Sequence, residues 1–74
     1  MKIEKYNVEC FEEQIDMNNW KRDNKFNQNP IYEGQLYDIS QEVRSLFNNN
    51  IIVSIKRNNF NDIKYILIYE TVFE

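Results

Sequence analysis

The chain has 74 residues and a net charge of −3, from twelve acidic and nine basic side chains. That length suits one domain and is too short for two. A lone cysteine, Cys10, and the lack of histidine exclude an intramolecular disulfide and a closed Cys/His zinc site within one chain. Stability must then come from tight packing or self-association, because so small a domain buries only a modest share of its surface.

A hydrophobic fraction of 42% with 15% aromatics is too apolar for a disordered chain. The longest apolar runs, Ile51-Ile52-Val53 and Tyr65-Ile66-Leu67-Ile68-Tyr69, are too short to span a bilayer. The opening Met1-Lys2-Ile3-Glu4-Lys5 lacks the apolar stretch of a signal peptide. An unpaired Cys10 suits a reducing compartment, so a cytoplasmic protein that does not enter membranes is expected. The acidic balance argues against a generic binder of phosphate backbones, which carries a basic excess.

In chain order, Tyr6, Val8 and Cys10 alternate with Lys5, Asn7 and Glu9, which predicts a half-buried strand from Lys2 to Glu12. Val8, Phe11 and Ile15 also fit one side of a helix, so residues 8–22 stay open between the two readings. From Met17 to Gln28 the chain is polar and Asn-rich, interrupted by Trp20 and Phe26 and closed by Pro30. So long a structureless stretch in a small domain is either functional or conceals a helix. Ile31 to Tyr37 predicts a short strand with Gly34 as a bulge.

Asp38-Ile39-Ser40-Gln41 reads as a helix start, with Asp38 as N-cap and Gln41 completing a capping-box pattern. Ile39, Val43, Leu46 and Phe47 then share one helical face, and Asn48-Asn49-Asn50 supplies the stop, giving a helix from Ile39 to Phe47. Ile51 to Lys56 and Ile63 to Phe73 are β-branched and aromatic. Joined by the Asn/Asp-rich connection 58–62, they predict a C-terminal β-hairpin. In the last strand Tyr65, Leu67, Tyr69 and Phe73 alternate with Ile66, Ile68 and Val72, so both faces are apolar and both call for cover. One short helix covers one face; the other needs the N-terminal segment, a second copy or a partner. The fold class is α+β: a small antiparallel sheet of three or four strands with one helix packed on a face, in a single domain spanning 1–74.

Without histidine the commonest general base is missing, and with it every Ser-His and Cys-His pair. Glu9 beside Cys10 disfavours a thiolate, so Cys10 reads as a buried structural residue. Gly34, the only glycine, leaves no Gly-rich phosphate loop. No catalytic, cofactor or metal residues are assigned, and no enzymatic activity is expected. Glu9, Glu12, Glu13 and Asp16 cluster in sequence; on a helix Glu9/Glu13 and Glu12/Asp16 would pair at i, i+4 and could attract magnesium, but a solvated acidic face is the plainer reading. The same acids, with Glu33, Asp38 and Glu42, could stand in for nucleic-acid phosphates against a basic protein groove.

The segment Trp20, Lys21, Arg22, Asp23, Asn24, Lys25, Phe26 places aromatics beside cations. That mix stacks on bases and meets phosphates, and Trp and Arg are also enriched at protein–protein hot spots; alternatively both rings tuck into the core while the charges face water. The five tyrosines read by default as packing residues, with Tyr32 and Tyr37 flanking Gly34 and partly exposed. The expected partner is a protein target, bound stoichiometrically, with a homodimer as a further possibility and nucleic acid as the rival. In size and composition the chain resembles the small accessory proteins of phages and mobile elements, among which inhibitors of bacterial defence, including anti-CRISPR proteins, are prominent. That resemblance implies a stoichiometric inhibitor or regulator.

Overall fold

The computed structural model describes residues 3–59 and 62–73. Strand β1 (Ile3–Phe11) leads into helix α1 (Gln14–Asp23), then strand β2 (Tyr32–Gln35), a 3₁₀ turn over Leu36–Asp38, helix α2 (Gln41–Asn58) and strand β3 (Tyr65–Phe73). The sheet has order β1-β3-β2, with β3 antiparallel to both neighbours. The α+β class and the small antiparallel sheet are as the sequence predicts, and β1 and β3 lie close to their expected bounds.

The C-terminal hairpin is not formed. Ile51 to Lys56 belongs to α2, and β3 pairs with β1 and β2 instead. The cause is visible in the burial of the run that suggested a strand. Ile51 is 2% exposed, whereas Ile52 is 41% and Val53 60%. One apolar residue in three is therefore buried there. Phe47, Ile51, Ser54 and Asn58 repeat at i, i+4, i+7 and i+11, so one helical stripe runs through the three asparagines without a break. Tertiary burial of that stripe outweighs the modest helix propensity of Asn. The left-handed stop expected at Asn48-Asn49-Asn50 is found at Asn59 (φ 53°), whose N–H bonds the Ile55 and Lys56 carbonyls. Residues 60 and 61 of the proposed hairpin connection lie outside the described residues.

At its start α2 is capped by Ser40, whose Oγ accepts from the Val43 N–H at 3.2 Å. The expected cap, Asp38, sits instead in the 3₁₀ turn. Leu46, expected on the buried face, is 70% exposed, because the lengthened helix centres its contact on Phe47, Ile51 and Ser54. Gly34 makes no bulge; β2 pairs with β3 in unbroken register. Its φ of 154° and the Tyr32 hydroxyl, 3.1 Å from where a Cβ would stand, explain the glycine. That hydroxyl donates to the Gln35 carbonyl at 2.6 Å.

Each face of the sheet carries a helix, where the sequence reading supplied only one. Ile66 and Ile68 of β3, with Val8 and Cys10 of β1, pack against Phe47 and Ile51 of α2. On the opposite face Leu67 and Phe11 pack against Met17, with Trp20, Phe26, Tyr65 and Tyr69 around them. The helix concealed in the polar N-terminal segment is thus the cover for the second face. Ile66, Leu67 and Ile68 are each 0% exposed, as a strand sandwiched on both faces requires.

Candidate functional site

The sheet leaves β1 as a nine-residue edge strand. The Phe11 carbonyl accepts from the Lys64 N–H on the β3 side, while the Val8 carbonyl is met at 2.7 Å by the Ser54 hydroxyl from outside the sheet. By the alternation of an antiparallel strand, Tyr6, Val8 and Cys10 turn their backbone polar groups away from β3. Between this edge and α2 runs a groove of about 420 Å³, lined by residues 5–9 and by Asn49, Asn50, Val53, Ser54 and Arg57.

The groove has a polar floor. Ser54, 2% exposed, donates to the Val8 carbonyl and receives Cys10 Sγ at 3.5 Å and Asn58 Nδ2 at 3.3 Å. Asn58 Nδ2 also bonds the Ser54 carbonyl at 2.7 Å. A serine in the apolar stripe of α2 is thereby satisfied, and it ties the helix to the edge strand. Burial pushes the Cys10 thiol above its ordinary range, only partly offset by the Ser54 hydrogen bond, so the thiol stays protonated. The shoulders are apolar: Tyr6 is 41% and Val53 60% exposed, and the Tyr6 ring meets Phe47 edge-on at 5.1 Å. Leu46, Asn50, Val53 and Arg57 recur at i, i+4, i+7 and i+11, forming the exposed flank of α2.

Glu9 is half-buried on the other face of β1, next to Tyr69. Burial raises its carboxyl above the ordinary range while Arg57 pulls it back. The Tyr69 hydroxyl is likewise raised by burial and by Glu9. No family model, curated protein or solved structure matches this chain.

The residues singled out in the sequence are distributed as follows. Trp20 and Phe26 pack against each other at 5.9 Å and against Tyr69 at 5.7 and 5.3 Å; Trp20 also meets Phe11 at 6.3 Å. These rings close the second face of the sheet, the packing alternative weighed for them. Lys21 is ion-paired with Glu33 of β2. Arg22 and Lys25 face solvent, the latter in a left-handed turn with φ 51° just beyond α1. Glu12, Glu13 and Asp16 are exposed around the β1–α1 turn, where Glu12 and Glu13 share a shallow recess with Asp62 and Lys64. Glu9 lies on β1 and Glu12 precedes the Glu13 cap of α1, so neither helical i, i+4 carboxylate pair exists. Among the described residues no group of three acidic or thiol side chains converges as a metal-ligand set. Of the tyrosines, Tyr37 departs from the packing default, being 91% exposed.

The sequence reading missed Tyr6, Asn50, Val53, Ser54 and Arg57 as neighbours around one groove. Four of these lie in or beside the run taken for a strand. The available signal was Ser54 itself, a polar residue at helical spacing from Phe47 and Ile51.

Proposed function

We propose that the protein is a non-enzymatic binding module, a stoichiometric inhibitor or regulator that engages a protein target through the open edge of β1 and the adjoining flank of α2. The observation that carries this reading is the edge itself. It is long and free of proline, its outward backbone groups border a groove, and the exposed Tyr6 and Val53 stand on either side. Natural sheets blunt such edges or use them for strand addition, where main-chain hydrogen bonds give affinity and flanking side chains give specificity. An inhibitor of a bacterial defence complex acting in the cytoplasm is the role implied by the resemblance to phage accessory proteins.

The test is a tagged pull-down from host lysate, with and without nuclease, using the wild type beside Val53→Asp, Trp20→Ala and a Glu12/Glu13/Asp16 charge reversal. Val53 is exposed, so its replacement leaves the core intact. One dominant protein that survives nuclease and is lost with Val53→Asp is the expected result. Loss with the acidic reversal alone would move the contact to the β1–α1 turn and favour phosphate mimicry. Loss of all specific bands on nuclease treatment would move it to nucleic acid and the segment around Trp20.

A further inference from the structure

We infer that the occupant of the β1 edge in the free protein is a second copy of the chain, paired antiparallel through β1 about a two-fold axis at Asn7; this rests on reading the edge as the contact surface. The outward backbone positions are Tyr6, Val8 and Cys10, so a symmetric partner strand must place even residues opposite even residues. Three registers meet that condition near the centre of the strand. In the first, Tyr6 faces Tyr6 of the partner subunit and Lys5 faces Asn7 of the partner subunit. In another, Val8 faces the partner's Val8 and Asn7 faces the partner's Glu9. The remaining register sets Tyr6 against the partner's Val8 and Lys5 against the partner's Glu9, with Asn7 on the axis.

Only this last arrangement pairs opposite charges, and symmetry repeats the pair on both sides of the axis. Directly opposed charges of unlike sign stabilise a ladder, while like charges destabilise it. Within one copy Glu9 and Lys5 make no ion pair with any described residue, although Arg57 acts on Glu9 from α2. Both side chains are thus available to a partner. The pairing also satisfies the outward N–H and C=O of Tyr6 and Val8; the Val8 carbonyl retains the Ser54 hydroxyl on its second lone pair. On the α2 face it brings the exposed Tyr6 and Val53 of each copy toward the axis and withdraws them from water. A target that uses the same edge then competes with the dimer, so the fraction of chains free to bind it falls as the protein's own concentration rises.

The experiment is sedimentation of the full chain over a wide concentration range, for wild type, Lys5→Glu, Glu9→Lys and the double charge swap. A concentration-dependent dimer is expected. It should be weakened on the order of tenfold or more by either single reversal, which turns both attractive pairs repulsive, and restored by the swap. A wild type that stays monomeric, or a dimer indifferent to both reversals, overturns the inference. Monomers whose target capture is still lost with Val53→Asp would sink the dimer and leave the edge as a target site. A dimer formed elsewhere, with capture also indifferent to Val53→Asp, would sink both.

Discussion

The two faces of the sheet are sealed by different means. On the α2 face the contact is mainly aliphatic, with Phe47 as its buried ring: Ile51, Ile66 and Ile68 are nearly or wholly inaccessible, and Ser54 is the buried polar side chain among the described residues, its oxygen fully partnered. On the α1 face the fully buried part is smaller, and the seal is completed by aromatic rings that remain half-exposed. The helices differ accordingly. The eighteen-residue α2 has a serine N-cap and an asparagine in the left-handed conformation at its end. The ten-residue α1 has Glu13 at its N-cap position, with no side-chain cap bond. A helix of that length is marginal alone in water, so α1 depends on its side chains reaching the sheet. Trp20 suits this task, because one large ring covers much area from a helix with few apolar positions.

The largest effect is expected at Trp20. Replacement by alanine removes the ring that links Phe11, Phe26 and Tyr69, and a loss of about 2–4 kcal/mol is expected, at the low end for a residue still partly wet. Amide exchange should show the loss as local, with α1 deprotected before α2. Equal deprotection of both helices would mean that the faces do not differ in the way described. On the α2 face the corresponding substitution is Ser54→Ala. The Val8 carbonyl loses its donor, at about 1–3 kcal/mol, while alanine recovers about 0.5 kcal/mol of helix propensity, so urea unfolding should show a net loss of about 1 kcal/mol. A neutral result would show that water replaces the hydroxyl at the strand edge.

The smallest effect expected is at Glu9. Its carboxyl is raised in the folded chain, chiefly by burial, so its contribution to stability is fully present below the unfolded value and lost as pH rises through the folded one. Glu9→Gln should therefore stabilise the monomer slightly at neutral pH, by well under about 1 kcal/mol after solvent screening. It should also remove a decline in stability just above the ordinary carboxylate range. A thermal melt series from acid to neutral pH, recorded at a concentration too low for self-association, checks both. No difference in slope between the two proteins would show that Glu9 is fully solvated.

The first and last strands were legible because their patterns admit few alternatives. Tyr6, Val8 and Cys10 alternate with polar residues, and β3 is apolar at successive positions from Tyr65 to Tyr69, as a central strand covered on both sides should be. That second observation already required cover on two faces. Helix α1 was legible only as a suspicion, since Met17 is its sole buried residue and Trp20 its one ring, too few to mark a helical period. The candidate groove was hidden for a related reason. It lies between residues some forty positions apart, and its α2 wall falls in the run Ile51-Ile52-Val53, whose local preference is for a strand.

Local chemistry by itself thus determined the kinds of element at the two ends of the chain, the need to cover both faces of β3, and the burial of Cys10. Alternation and β-branching speak through neighbours one or two residues away. Tertiary structure alone decided that residues 51–56 are helical, that β3 lies between β1 and β2, and that β1 is left at an edge. Those outcomes depend on which surfaces meet. Phe47, Ile51 and Ser54 gain a sheet to pack against only as a helix, and that gain outweighs what each residue prefers on its own.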